Sequence, residues 1–533
     1  MRIRLWCPLE RKRRFLLASF SSAAAAVWIE FQGREWWHTR EMRLFKRFRA
    51  AFSIRLAEKE WPRFTNSLNC DGRIFRRGSR FGFLKMTWAE SKSMQQHSTN
   101  DVGARKVLPT EFYASFLSNA AKRRKPSPIR SLIPMEAAPH MISMLAGKPD
   151  PNTYPFASMV VSVKSPDSSS LTDIELRGED LATALQYNES GGVPELVEWV
   201  TGLLKDVHEL GEEEEDGLRV CIGAGSQDLL YKALTVLVDP GDTVVVEAPT
   251  YPGVLPVLHS LKCNIVGVTS DEDGLVPSSL EVLLDSWSTD QPFPKLLYTV
   301  PYGANPTGMS TTAARRIEIL HLARKHNILI LEDDPYFHLY YGSGPPPPSY
   351  LSLERKVDGE IGRVVRFDSL SKILAAGFRL GWTAVATLQP PTFSQMVVLK
   401  LLQSWGTSGF LTHAAGVAEY YRRKRDVFET YLNKHLTGLA QWNTPNAAMF
   451  YWIKLNLPPG GSETVSGDSA MFIKHSAMHK GVLMLPGEST YHDGRKTCYA
   501  RVSFSLLSDE DADEVLRRLA AALRDEWHST ENA

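Results

Sequence analysis

The chain has 533 residues, 43% of them apolar and 23% charged, with a formal net charge of +1. That length exceeds one ordinary domain and implies two or three, and the composition excludes a disordered, collagenous or disulfide-scaffold protein. No apolar run approaches the roughly 20 residues needed to span a bilayer.

The near-zero charge hides an asymmetry. Residues 1–93 hold 21 Lys+Arg against 8 Asp+Glu, a net of +13, and six of the 13 tryptophans; the remaining 40 Lys+Arg and 52 Asp+Glu give −12. Arg11-Lys12-Arg13-Arg14, followed by Phe15-Leu16-Leu17 and four alanines from Ala23, resembles a signal or transit peptide. Glu10, Glu30, Glu35 and Glu41 argue against a long transit peptide. The five scattered cysteines (Cys7, Cys70, Cys221, Cys263, Cys498) argue against secretion, since they fit free thiols in a reducing compartment. Phe45-Lys46-Arg47-Phe48-Arg49 has a composition that suits nucleic acid but lacks a helix-turn-helix, zinc or RNP pattern. Residues 1–107 therefore read as a basic extension without a packed fold, either a targeting segment or upstream sequence ahead of a start at Met86 or Met94.

From residue 108 the pattern is that of a folded protein. Residues 111–122 carry Phe112, Phe116, Leu117 and Ala120 at helical spacing, and Pro126-Ser127-Pro128-Ile129-Arg130 then forces an extended segment. Gly147 leads into the turn-rich Pro149-Asp150-Pro151-Asn152. After Tyr187 and the Gly191-Gly192 turn, Pro194 at a first helical position starts an amphipathic helix carrying Leu196, Val197, Val200, Leu203 and Leu204. Residues 212–216 form a solvated acidic loop, and 218–222 predict a strand. Gly223-Ala224-Gly225-Ser226-Gln227 then opens a helix through Val238, and a glycine turn into a helix N-terminus presents unpaired amides to a phosphate. Ser226 and Gln227 are the candidate phosphate ligands.

Residues 243–247 predict a second strand ending at Ala248-Pro249-Thr250-Tyr251, which places an aromatic ring where open α/β sheets bind ligands. A third strand, 295–300, precedes the Asn305-Pro306-Thr307-Gly308 turn, whose asparagine can donate a hydrogen bond while proline and glycine lock the backbone. A helix with Ala313, Ile317, Leu320 and Ala323 on one face is followed by the strand 328–332, which delivers Asp333-Asp334-Pro335-Tyr336. Asp334 reads as structural, because carboxylates after strands commonly cap helices. Residues 345–348, four prolines, read as an exposed spacer.

The sequence Ser369-Leu370-Ser371-Lys372-Ile373-Leu374-Ala375-Ala376-Gly377-Phe378-Arg379-Leu380-Gly381 leaves the end of another apolar strand. Its ε-amine can condense with an aldehyde cofactor, and Ser369, Ser371 and Arg379 can hold a phosphate, the arginine through a two-pronged fork. Gly377 and Gly381 allow a tight turn beside the bound group. Beyond Trp382 long helices follow, then a smaller α+β unit with 449–453, 482–487 and the alternating Tyr499-Ala500-Arg501-Val502-Ser503. Ser508 caps a closing helix with Ala512, Val515, Leu519 and Leu523 inward.

Strand and helix alternate from 218 past 370, the mark of a mostly parallel sheet with right-handed crossovers. With the lysine loop, the Asn-Pro-Thr-Gly turn and the Asp333/Tyr336 pair in this order, residues 108–533 resemble the class I aminotransferases among fold-type-I pyridoxal-phosphate enzymes. The subgroup most resembled acts on 2-aminoadipate, kynurenine and aromatic amino acids. The resemblance implies an α/β PLP-transferase: an arm (108–154), a large domain (155–428) with a mostly parallel seven-stranded-type sheet flanked by helices, and a smaller α+β C-terminal domain (429–533).

It also implies pyridoxal 5'-phosphate as cofactor and Lys372, Asp333 and Tyr336 as catalytic residues. Ser226, Gln227, Ser369, Ser371 and Arg379 would hold the phosphate, joined by Tyr187 from the neighbouring subunit of a homodimer. Tyr251 would stack on the ring, Asn305 and Tyr336 serve its oxygen, and Asp333 its nitrogen. Arg501 would clamp the substrate α-carboxylate and Arg130 approach its side chain, with Asn305 and Gly147 also at the substrate. The implied reaction moves an amino group to a 2-oxo acid such as 2-oxoglutarate by a ping-pong mechanism. No metal, nucleic acid or membrane is expected, and the placement is cytoplasmic, with mitochondrial as the alternative. Two rivals keep most of these motifs: another α-carbon reaction on the cofactor, by a decarboxylase or a 1-aminocyclopropane-1-carboxylate synthase-like enzyme, and a non-enzymatic regulator that senses the cofactor. One departure stands out, Ala448 where relatives carry glycine, a methyl expected to narrow the mouth of the site.

Overall fold

The computed structural model describes residues 13–19, 26–32, 106–125, a few positions between 127 and 145, and 147–531 apart from 211–217, 384–390 and 459–466. These fall into two units, Met1–Ser98 and Thr99–Ala533. In the first, Arg13–Ser19 pairs antiparallel with Ala26–Gln32. The basic aromatic stretch around Lys46, the acidic loop 212–216 and Arg130 lie outside the described residues.

The second unit is built on an eight-stranded sheet. In chain order its strands are β1 (Cys221–Gly223), β2 (Thr243–Ala248), β3 (Asn264–Asp271), β4 (Gly274–Leu275), β5 (Leu296–Thr299), β6 (Leu329–Asp333), β7 (Val364–Ser369) and β8 (Gly381–Thr383). Their spatial order is β1-β8-β7-β6-β5-β2-β3-β4. Strands β7, β6, β5, β2 and β3 pair in parallel, while β8 runs antiparallel to both β7 and β1. The expected seven strands are thus present, joined by the two-residue β4 at the far edge. Strands β5, β6 and β7 are buried along their whole length, which is why apolar residues fall on both of their faces rather than alternating with exposed ones. Helices complete the layers: α1 (Pro194–His208), α2 (Ser226–Leu237) and α3 (Ala313–Lys325).

A long helix, α4 (Thr392–Leu436), follows, with a break at Gly406, whose φ of 65° and ψ of 177° interrupt the helical ladder. It leads to a four-stranded antiparallel sheet of β9 (Ala440–Trp442), β10 (Phe450–Leu455), β11 (Leu485–Pro486) and β12 (Tyr499–Ser503), in the order β9-β10-β12-β11. The closing helix α5 (Asp509–Glu531) starts where expected, with the Ser508 hydroxyl accepting from the Asp511 amide at 3.0 Å. Its inward stripe is Ala512, Leu516, Leu519, Ala520 and Leu523, with Val515 half-buried at the margin.

Three local expectations need correction. The helix read over 111–122 is two short pieces, Thr110–Ala114 and Asn119–Lys122, because Ser118 takes an extended backbone and caps the second piece. The prolines at 345–348 are not a free spacer, since the Pro347 carbonyl accepts from the buried Tyr302 hydroxyl and that of Pro348 from Arg316 at 3.1 Å. Residues 106–107, the end of the presumed extension, pair in parallel with Glu360–Ile361 and so belong to the second unit. Among the described residues no helix is long and apolar enough to cross a membrane.

Candidate active site

The carboxyl ends of β2, β5, β6 and β7 bring Tyr251, Asn305, Asp333 and Lys372 to one end of the sheet, the general location of ligand sites in open α/β folds. One corner gathers groups suited to an anion. Gly225, with φ of 89°, is the N-cap of α2, and no side chain caps that end, leaving its first amides available to an anion. Arg379 lies against this glycine: its Nη2 donates to the Ala224 carbonyl at 3.1 Å and its Nη1 to the Ser371 hydroxyl at 3.3 Å. A Cβ on Gly225 would sit 2.5 Å from that Nη2. A Cβ on Gly381 would meet the Asp368 carbonyl at 2.5 Å and the Ser226 amide nitrogen at 3.0 Å, so this glycine lets the lysine loop and the helix start approach each other. Gly377 lies in the short turn Ala376–Phe378 and has no neighbour within 4 Å of such an atom. Ser369 closes the turn with its hydroxyl, which accepts from the Ser371 amide at 3.2 Å. Gln227 spends its amide on the Gly253 carbonyl at 3.0 Å, which ties the helix start to the loop carrying Tyr251.

A second corner is acidic. Asp333 is fully buried; its Oδ2 accepts from the Tyr298 hydroxyl at 2.8 Å, while its buried Oδ1 has no hydrogen-bond partner. Burial pushes this carboxyl up to about 6, the Tyr298 hydrogen bond acting against that rise. Behind it one buried guanidinium serves three carboxylates. Arg366 stands 3.2 Å from Glu332, 2.8 Å from Asp334 and 2.8 Å from Asp368. Burial raises Asp334 to about 8, against the pull of Arg366. Asp334 lies buried against Arg366, and neither of its oxygens caps a helix.

Between these corners lies the lysine. The Lys372 amine is lowered, first by burial and then by the charges of Arg501 and Arg379. Arg501, on β12, donates from Nη1 to the Asn305 Oδ1 at 2.8 Å, its guanidinium lies 4.4 Å from the Phe450 ring centroid, and its buried Nε has no partner. Tyr336 shares a hydrogen bond with Asn305; its hydroxyl is raised by burial and then by Tyr251 and Asp333. Tyr251, half-buried, responds electrostatically to Asp333, Arg501 and Arg379, so it faces the same space. The arrangement offers an amine that can lose its proton, two guanidiniums for anions, and a buried unpaired carboxylate oxygen.

Two predicted residues stand apart in this single chain. Tyr187 is 73% exposed on the loop after the helix Gly178–Leu185, and Gly147 has nothing within 4 Å of a built Cβ. Ala448 is fully buried with φ of 64°, and its methyl lies 2.6 Å from where a Cβ on Gly303 would stand. It therefore packs behind the Asn305 turn, and the expected narrowing of an open mouth does not follow. Reading the sequence missed Tyr298 and Arg366. The available signal was a phenol and a guanidinium inside apolar strands, where each needs a polar partner.

The family model for aminotransferase class I and II matches residues 169–519. Aminotransferase tdiD of Emericella nidulans is 44% identical over 436 residues, covering 79% of this chain and 97% of the relative. The mitochondrial kynurenine/alpha-aminoadipate aminotransferase of Bos taurus is 37% identical over 440 residues, 78% of this chain and 99% of that one. Among solved structures, aminotransferase Aro8 from Candida albicans superposes with a TM-score of 0.69 at 26% identity, covering 80% of this chain and all of the other. A family match across most of the second unit, two relatives aligned over nearly their whole length and a shared fold place this chain in the class I and II aminotransferase family, and it is a transaminase.

Proposed function

We propose that the chain moves the amino group of an aromatic amino acid, kynurenine or 2-aminoadipate to a 2-oxo acid such as 2-oxoglutarate, with pyridoxal 5'-phosphate held at Lys372. The single observation that carries the reading is the meeting of the lowered Lys372 amine with Arg379 and Arg501, one guanidinium at the start of α2 and one whose buried Nε is unpaired and can take a carboxylate. The residues present fit that cofactor. The uncapped start of α2 with Ser226, Ser371 and Arg379 suits its phosphate, and the unpaired Asp333 Oδ1 suits its protonated ring nitrogen. Asn305 and Tyr336 suit the ring oxygen, and Tyr251 the ring face.

When bound, the cofactor supplies an aldehyde for exchange with amines and an electron-poor ring that accepts the charge left on the substrate α-carbon. Everything else is the work of this chain. Arg501 fixes the α-carboxylate through its planar fork, and the Phe450 ring under the guanidinium limits its tilt. Lys372 would carry the proton taken from the substrate α-carbon, and burial with two neighbouring cations lowers its proton affinity, so that part of the amine is neutral for that role. Asp333 keeps the ring nitrogen protonated. The exposed Tyr187 fits a ligand that acts on the site of a second copy, which favours a homodimer. The names of the bovine relative and of the resembled subgroup support the donor class.

The test is a donor panel. Purified protein, reconstituted with pyridoxal 5'-phosphate, is supplied with 2-oxoglutarate and one amino acid at a time, and glutamate is measured. The reading expects kynurenine, 2-aminoadipate and the aromatic amino acids to rank above alanine and aspartate; the reverse ranking overturns the donor class.

A further inference from the structure

Asp333 is held from one side. Tyr298 lies in β5, a strand buried along its whole length, and its hydroxyl donates to Asp333 Oδ2 at 2.8 Å. Strands β5 and β6 are parallel with Tyr298 in register with Leu331, so the phenol reaches along the neighbouring strand to a carboxylate two residues further on. Both side chains are fully buried. A buried phenol and a buried carboxylate are each costly without a partner, and this contact gives each of them one.

The charged and titratable groups that face Asp333 come from every side. Arg366 and Asp368 act from β7, Tyr251 from the loop after β2, and Tyr336 from its own loop. Among the described residues Tyr298 is the one whose side chain hydrogen-bonds this carboxylate, and the second oxygen, Oδ1, is left unpaired.

We propose that Tyr298 is a positioning residue of the reaction: it pins Asp333 Oδ2 and so presents Oδ1 to the cofactor's ring nitrogen. The inference rests on the cofactor reading above. Tyr298 acts through Asp333, in two ways. It removes the rotation about the carboxylate's last bond, and it stabilises the ionised form, which has to stay charged to keep the ring nitrogen protonated. Without the hydroxyl the carboxylate would be free to turn and would bind its own proton more tightly.

The experiment measures the dissociation constant for pyridoxal 5'-phosphate, by its absorbance, and the pH profile of kcat/KM in the holoenzyme. In Tyr298→Phe the affinity is expected to weaken about tenfold and the acid limb to move up by about one pH unit, as befits one lost hydrogen bond to a charged group. A variant with a ring-fluorinated tyrosine at 298 keeps the shape and strengthens the donor, and its acid limb is expected to move down. A Tyr298→Phe protein whose Tm falls while affinity and acid limb stay at their unmodified values would mean a merely structural tyrosine and overturns the proposal. If Tyr298→Phe does not fold, an unmoved limb in the fluorinated variant overturns it instead. Failure of the unmodified chain to bind the cofactor at all removes the cofactor reading, and this proposal with it.

Discussion

Arg501 and Asn305 are 196 positions apart, yet the Nη1 of the arginine donates to the Oδ1 of the asparagine at 2.8 Å. This bond ties β12 of the small sheet to the turn after β5 of the large one, and it leaves the buried Nε unpaired. A point charge does not replace such a fork. Arg501→Lys is therefore expected to raise KM for both the amino acid and the oxo acid by about tenfold to a hundredfold, the loss of one charge-assisted, two-pronged contact. Steady-state kinetics with each substrate varied in turn check this. Unchanged KM values would remove Arg501 from substrate binding.

Stability should depend on pH in a defined direction. Burial raises Asp334 to about 8 and Glu247 and Glu354 to about 7. Between pH 6.5 and 8 the unfolded chain has ionised these carboxyls while the folded chain still holds protons on them. Unfolding then releases protons, so rising pH lowers the unfolding free energy. Below 6.5 His208, His338 and the half-buried His492, all with lowered proton affinity, act in the opposite sense, because the unfolded chain binds protons there that the folded chain does not. Urea unfolding of the apoprotein, made with Lys372→Ala so that this lowered amine does not contribute, should show stability falling from pH 6.5 to 8. A rise across that window would contradict the buried-proton account.

Ala448 occupies a left-handed backbone position, which costs a non-glycine residue roughly 1–2 kcal/mol, and its buried methyl returns about 0.8 kcal/mol. Ala448→Gly is thus expected to change stability by no more than about 1 kcal/mol, toward the stable side, and to leave the ranking of amino donors as it is. Chemical denaturation and the donor panel measure both. A reordered ranking would mean that the methyl reaches the substrate. Gly303→Ala should behave differently, since its Cβ would stand 2.9 Å from the Ala447 carbonyl carbon, and the Asn305 turn would have to shift. A loss of about 1–3 kcal/mol and a marked fall in activity are expected there.

Local chemistry was legible in the sequence wherever it sits in a loop. Lys372, Asn305, Asp333 and Tyr336 stand at strand ends, where turn residues around them mark the boundary, and the structure brings them together. The glycine turn into α2 was readable for the same reason. Partnerships across strands were not. Tyr298 and Arg366 lie inside buried strands, and what they bind depends on which strand is the neighbour and in what register, facts set by the β5-β6-β7 order. Glycine positions divided likewise: Gly381 is required by the close approach of Asp368 and Ser226, while Gly377, equally plausible in sequence, is open. The packing of Ala448 could not be read either, because its neighbour, Gly303, is remote in sequence.

The central claim is that Lys372 carries an amino-group exchange, and the half-reaction tests it most directly. The holoenzyme is given one amino acid and no acceptor, and both the absorbance of the bound cofactor and the 2-oxo acid released are followed. The account predicts a change in that absorbance with about one equivalent of 2-oxo acid per subunit, and no such conversion in a Lys372→Ala protein that still folds. An absorbance that persists with every donor, or an oxo acid yield unaffected by Lys372→Ala, would contradict it.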